Sequence, residues 1–212
     1  MNKKYVFGFD YDGVLTKPEK RIPNPTIANF IASQLNQERP IAIITGRTPS
    51  WLKRDMIPLI ESGVRSRKDL DFLYVSCEKA TVTLTYQAGE MRENVVAGLA
   101  PPENVRNQIK LLGDASSNLF FDDSKINIVS LEIVGGTEEE VRKQKNTLQK
   151  MLAIIEKDVL AKENDFVVLD EPGIALDIQH KLVDKTNAAA GTIELMNGFG
   201  RFAAKKNNTI TA

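Results

Sequence analysis

Three short, almost wholly apolar runs constrain this chain more than any other feature: KYVFGF (4–9), PIAIIT (40–45) and DFLYVS (71–76). Each is β-type in composition and strand-like in length, and the first stops at Asp10. Helix-patterned stretches stand between them. Pro23 and Pro25 open TIANFIASQLNQ, where Ile27, Phe30, Ile31 and Leu35 recur at helical spacing. SWLKRDMIPLIESG is the second, interrupted by Pro58 and closed by Gly63. The resulting β-α-β-α-β order predicts an α/β fold, a parallel sheet with helices on its faces.

The remainder is more mixed. TVTLTY (81–86) alternates as a half-exposed strand does, and AGEM supplies a turn. After Pro101-Pro102, ENVRNQIKLLG predicts a helix, and NLFFDD and INIVSLEIVGG predict strands. Thr137 with Glu140 three residues on forms a capping box for a long helix to about Asn164. FVVLD, IALDI and a helix from about Lys185 complete the pattern, and the tail AAKKNNTITA is expected to fray.

Composition narrows the chemistry. Lys plus Arg and Asp plus Glu are both 28 among 212 residues, which removes the broad electrostatic case for a nucleic-acid or anionic-membrane binder. No apolar run approaches the ~18 residues of a spanning helix and no signal-peptide pattern opens the chain, so a soluble, cytoplasmic protein is expected. Cys77, the only cysteine, ends an apolar run and is expected to be a buried structural thiol. His180 is the only histidine, which excludes two-histidine metal motifs; with no nucleophile elbow present, a serine triad built on it is not expected. Carboxylates, Thr, Lys and Arg remain to carry any reaction.

FGFDYDGVLT (7–16) is where they concentrate. An apolar strand delivers Asp10 at its carboxyl end, the edge where open α/β sheets place ligands. Asp12 follows two residues later, and Gly13 permits a tight turn. Two carboxylates so close stay ionised together only beside a cation or strong donors, and Mg²⁺ with oxygen ligands supplies that. Asp10 could then attack a phosphoryl group, with Asp12 protonating the leaving oxygen and later activating water.

This segment resembles the first motif of the haloacid dehalogenase superfamily of phosphatases and phosphotransferases: an apolar strand, DxD, a small residue, then V-L-T. The resemblance implies a Rossmann-like core, Mg²⁺ as cofactor and an aspartyl phosphate on Asp10, with the Asp10 carboxylate and the Asp12 backbone carbonyl facing the metal. The second motif, a Ser or Thr ending the next core strand, falls on Thr45 of IAIITGR, with Arg47 as a further phosphate contact. The fourth, an acidic pair ending a later strand, falls on Asp122 and Asp123 of NLFFDDSKINI as metal ligands, in the form seen in capless members such as magnesium-dependent and protein phosphatases. The third, a Lys or Arg steadying the phosphoaspartate, has Lys110, Arg106 and Lys79 as candidates.

Two alignments compete within this resemblance. In the capless one, residues 1–135 are the catalytic core and 136–212 a C-terminal helical and α/β extension. In the other, DEPGIALDIQHKLVDKTNAA resembles the segment of large-capped sugar-phosphate phosphatases that ends in the third-motif lysine, here Lys185, and residues 80–178 are an inserted cap. That alignment also calls for a GDxxND-like motif after Lys185, which the sequence lacks, so a capless or small-capped form is expected. The expected function is Mg²⁺-dependent phosphomonoester hydrolysis, on a phosphoprotein if capless and on a sugar phosphate or nucleotide if capped. A catalytically silent binding domain is the alternative from another class. A receiver domain gathers similar residues in the opposite order, acidic pair first, and is disfavoured.

Overall fold

The three apolar runs become adjacent parallel strands, β1 (Val6–Asp10), β2 (Ile41–Ile44) and β3 (Leu73–Cys77). The computed structural model describes residues 6–16, 22–116, 118–134, 137–160, 163–171, 175–183 and 209–211. Asp10 is in register with Ile44, and Ile44 with Ser76, so the carboxyl ends of all three strands share one edge. Beyond β3 the sheet turns antiparallel through a hairpin of β4 (Val82–Gln87) and β5 (Glu90–Val95). Its two-residue loop, Ala88-Gly89, has φ of +54° and +80°, the mirror-image turn that matches strand twist. A side chain at position 89 would meet the Arg67 backbone carbonyl carbon at 2.9 Å, so glycine is required for space as well as for φ. The Asp71 carboxylate accepts the N–H groups of Ala88 and Gly89 at 3.1 and 2.9 Å.

Helix α1 (Pro25–Leu35) starts where Asn24 Oδ1 accepts the Thr26 N–H at 3.0 Å, with Pro25 at the first position, where its missing donor costs nothing. The second helical stretch divides into α2 (Pro49–Asp55) and α3 (Ile57–Gly63), with Met56 between them. Pro58, which has no N–H, sits in the first turn of α3, and the break therefore falls just ahead of it. Ile31, Leu35, Leu52, Ile57 and Ile60 pack on Ile41, Ile43, Leu73, Val75 and Leu84, all at most 2% exposed. Each such side chain stabilises the fold by about 1.5–3 kcal/mol. Cys77 lies in this core, and burial pushes its thiol well above the ordinary range, as expected of a structural cysteine.

The chain divides into two units, Met1–Val96 with Val183–Ala212, and Ala97–Leu182. The second holds helices α4 (Glu103–Asp114) and α5 (Glu138–Ile154) and strands β6 (Leu119–Phe121), β7 (Ile128–Ile133), β8 (Phe166–Glu171) and β9 (Ala175–His180). The strands form an antiparallel sheet in the order β6-β7-β9-β8, and Val105, Ile109 and Leu148 of the helices pack on Val129, Leu131, Leu176 and Ile178. The capping box forms, with the Glu140 N–H donating to Thr137 Oγ1 at 3.3 Å and the Thr137 N–H to Glu140 Oε2 at 2.7 Å. The latter bond holds the Glu140 carboxyl below its usual value. A wide turn, Ile155–Val159, follows α5 short of the expected end near Asn164.

Two expectations change here. One sheet holds strands from both sides of the capless boundary, because β7 before it pairs with β9 after it. NLFFDD also contributes its strand to this second sheet, not to the one that carries Asp10.

The tail corrects a third. Thr209–Thr211 is not frayed but forms β10, parallel to β1 with Val6 opposite Thr209, and the first sheet has the order β10-β1-β2-β3-β4-β5. Alternating apolar Ile210 between two threonines suits a short added strand. The helix expected from Lys185, and Lys185 itself, lie outside the described residues. Among those described, no helix is long and apolar enough to cross a membrane.

Candidate active site

Asp10 closes β1 in extended conformation and its Oδ1 accepts the N–H of Tyr11 at 2.8 Å. The turn that follows, Tyr11–Leu15, is helical only in part. Asp12 (φ −76°, ψ 125°) and Gly13 (φ +79°) leave helical geometry, and the Gly13 N–H reaches Thr16 Oγ1 at 3.2 Å. A side chain at Gly13 would meet nothing within 4 Å, so glycine is needed there for its positive φ alone. Asp12 is left exposed, while Tyr11 and Leu15 anchor the turn in the core.

Thr45 extends β2 by one residue and is fully buried. Its N–H donates to the Ser76 carbonyl at 2.9 Å, its Oγ1 accepts the Arg47 N–H at 3.0 Å, and its carbonyl accepts the Lys79 N–H at 2.9 Å. The hydroxyl proton of Thr45 thus remains available for donation. Arg47 reaches from this loop to Asp12, with Nη2–Oδ1 at 2.9 Å and Nε–Oδ2 at 3.1 Å, a two-pronged fork. Its guanidinium stands 4.8 Å from the centroid of Trp51, which also receives Arg54 at 4.5 Å. Arg54 in turn pairs with Asp55 at 2.6 Å.

The exit from β3 supports this loop from the other side. Glu78, Lys79 and Ala80 all have positive φ, at 46°, 55° and 70°. Three successive left-handed residues with side chains carry strain of about 1–2 kcal/mol each, which persists only where neighbours enforce it. Here the Glu78 N–H is fixed on the Arg47 carbonyl at 3.0 Å and the Lys79 N–H on Thr45. No sequence signal announces this turn, since Glu-Lys-Ala favours ordinary helix. Tyr11 was equally silent. Its ring is 1% exposed, its hydroxyl has no hydrogen-bond partner among the described residues, and burial beside Asp55 and Asp12 pushes the phenol up to about 12.

The candidates Arg106, Lys110, Asp122 and Asp123 fall in the second unit, where each has a partner on the loop between β6 and β7 or beside it. Arg106 Nη2 donates to the carbonyls of Lys125 and Ile126 at 2.8 and 3.0 Å. Lys110 Nζ meets Asp123 Oδ2 at 2.9 Å, an exposed pair that raises the lysine and lowers the carboxyl. Asp122 accepts the N–H and hydroxyl of Ser124 at 3.1 and 2.5 Å. Together these contacts fasten the loop between β6 and β7.

Among the described residues no three His, Cys, Asp or Glu side chains gather as a metal site. The donors at the end of β1 are nevertheless hard oxygens: the Asp10 carboxylate, and the carbonyl of Asp12, whose ψ of 125° turns it out of the helical ladder. Mg²⁺ keeps several waters and takes one or two protein carboxylates with substrate phosphate, so this set fits it.

No protein-family model matches the chain, and no curated protein does. Solved structures match its fold. The C-terminal domain of a C. albicans trehalose-6-phosphate phosphatase aligns with a TM-score of 0.65 at 20% identity, over 91% of this chain and 62% of that one. A haloacid dehalogenase-like hydrolase from Bacteroides thetaiotaomicron aligns at 0.65 and 12% identity, over 99% and 81%. The IMP-nucleotidase of Plasmodium falciparum aligns at 0.58 and 12% identity, over 99% and 53%. This chain thus spans less than two thirds of the first and third. At these identities the likeness establishes the fold, a haloacid dehalogenase-like α/β architecture.

Proposed function

We propose that this chain hydrolyses phosphomonoesters through an aspartyl phosphate on Asp10. The observation that carries the reading is the juxtaposition at one sheet edge. Asp10 ends β1, Thr45 follows the end of neighbouring β2, and Asp12 sits on the non-helical turn leaving β1. The matching fold of solved phosphatases supports it.

An Asp10 carboxylate oxygen attacks phosphorus as the ester P–O bond breaks, and protonated Asp12 gives its proton to the leaving oxygen. Asp12, now a carboxylate, takes a proton from water. The resulting hydroxide attacks phosphorus, the Asp10–phosphorus bond breaks, and inorganic phosphate leaves. Thr45 donates its hydroxyl proton to a phosphoryl oxygen throughout. The Asp10 carboxylate and the Asp12 carbonyl would hold a Mg²⁺ ion, which would neutralise charge on the phosphoryl oxygens when bound. The scheme draws on the first unit alone and assigns no step to Asp122, Asp123, Lys110 or Arg106, whose partners given above lie in the second unit. The insertion of that unit between residues 96 and 183 favours the capped alternative, and with it a small sugar phosphate or nucleotide over a phosphoprotein.

The test is hydrolysis of an aryl phosphate with Mg²⁺ and with chelator, for the native chain and Asp10→Asn. Mg²⁺-dependent turnover that falls more than ~10²-fold in Asp10→Asn is expected. Turnover indifferent to Asp10 would sink the reading, and Mg²⁺ binding without turnover on any phosphate ester would favour a silent binding domain.

A further inference from the structure

The geometry points to a shared guanidinium: Arg47 holds the Asp12 carboxylate in the ligand-free chain and exchanges it for the substrate's phosphoryl group, releasing Asp12 for proton transfer. This rests on the hydrolase reading for the role of Asp12, but the exchange itself is a binding event that can be measured without turnover.

Arg47 is well covered, its side chain 14% exposed, whereas Asp12 is 44% exposed. The arginine is therefore the fixed partner and the carboxylate the one that can leave. Its main chain is held at both polar groups, the N–H on Thr45 Oγ1 and the carbonyl under the Glu78 N–H. The Trp51 ring lies against the guanidinium. A guanidinium fork matches carboxylate and phosphate alike, and a phosphate with more charge competes for it effectively. The same loop carries Thr45, whose Oγ1 accepts the Arg47 N–H, so the guanidinium and the hydroxyl proposed to bind phosphate come from residues tied to each other. While Asp12 occupies the fork, both its oxygens accept from the Arg47 guanidinium.

Trp51 is the only tryptophan and has Arg47 and Arg54 against its ring, so the part of a fluorescence change that Arg47→Gln removes reports on Arg47. The experiment titrates inorganic phosphate, with and without Mg²⁺, into the native chain, Asp12→Asn, Arg47→Gln and the double variant. Phosphate is expected to change Trp51 emission in the native chain. Asp12→Asn replaces the charged competitor with a weaker neutral acceptor and should tighten phosphate about tenfold, while Arg47→Gln should weaken it about tenfold. In the Arg47→Gln background, Asp12→Asn should then change little, because the competition is gone. Equal tightening by Asp12→Asn in both backgrounds would reveal a plain charge effect and overturn the exchange, as would phosphate affinity indifferent to Arg47. No phosphate binding by any variant would overturn it too. Arg47→Lys, which keeps charge without the fork, should resemble Arg47→Gln in coupling and guards against a folding failure of the latter. A phosphate cycle that couples as expected, beside aryl phosphate turnover indifferent to Asp10, would remove the hydrolase reading and leave the exchange standing.

Discussion

The carbonyl of Thr45 accepts the N–H of Lys79 at 2.9 Å, so the hydroxyl residue at the sheet edge is held by a neighbour whose own φ is +55°. A left-handed turn of three non-glycine residues has been built to reach the 45–47 loop, and its strain should be measurable. Ala80, at φ 70°, has no side-chain reason to resist glycine. Ala80→Gly should stabilise by roughly 0.5–1 kcal/mol, after the added freedom of the unfolded chain is subtracted, and raise the melting midpoint by about 1–4 °C. The contrasting Ala28→Gly, inside α1, should destabilise by about 1 kcal/mol. Thermal unfolding of both decides it, and a fall in both would mean the turn at Ala80 carries no strain.

Thr45→Val removes a hydroxyl with almost no change of shape. It leaves the Arg47 N–H without the acceptor now 3.0 Å away, which should cost roughly 1–3 kcal/mol in denaturant unfolding. It also removes the proposed donor to the phosphoryl oxygen, and kcat should fall about 10²-fold. Thr45→Ser restores both bonds and should recover most of the activity. Failure of Ser to rescue would place the role of Thr45 in packing instead.

Much of this was legible beforehand. The strands 4–9, 40–45 and 71–76 and the Asp10-Asp12-Gly13 turn could be read because apolar runs and a positive-φ glycine have local signatures. The sheet that the strand before Asp122-Asp123 joins was not legible, because an acidic turn after an apolar strand looks the same in either sheet. Which sheet a strand joins is set by non-local pairing, here β6 with β7 and β7 with β9 across the α5 segment. The partner that fastens Asp12 lies 35 residues away in Arg47, and no spacing rule announces such a bond. The left-handed turn at 78–80 opposes the helical propensity of its own residues and follows from the contacts that enforce it.

Tyr11 makes a prediction at alkaline pH. Its folded value, raised by burial and by Asp55 and Asp12 to about 12, exceeds the unfolded value of 10.0. A phenol so shifted contributes its full effect below pH 10, and that contribution, roughly 2–3 kcal/mol, is lost as pH rises from 10 towards 12. Tyr11→Phe should abolish this loss. It should also leave neutral-pH stability unchanged or raised by up to about 1 kcal/mol, because the buried hydroxyl it removes has no partner among the described residues. Denaturant unfolding at pH 7 and pH 11 for both chains measures the two effects, and a marked loss at pH 7 in Tyr11→Phe would show that the hydroxyl is bonded after all.

Lys110 and Arg106 separate a surface pair from a structural clamp. Lys110 and Asp123 are both exposed and screened, so Lys110→Met and Asp123→Asn should leave aryl phosphate hydrolysis within about twofold and stability nearly unchanged. Arg106 differs because one of its nitrogens serves two carbonyls of the β6–β7 loop. Arg106→Met leaves both carbonyls to find other partners and should destabilise by roughly 1–3 kcal/mol, with kcat at saturating substrate preserved. A hundredfold fall in kcat for Lys110→Met at unchanged stability would instead restore that lysine to the phosphate-steadying role its position in the helix ahead of the acidic pair suggested. Measuring kcat and the unfolding midpoint on the same preparations keeps the two readings apart, since a clamp lost from the loop moves the midpoint first and a catalytic cation moves only kcat.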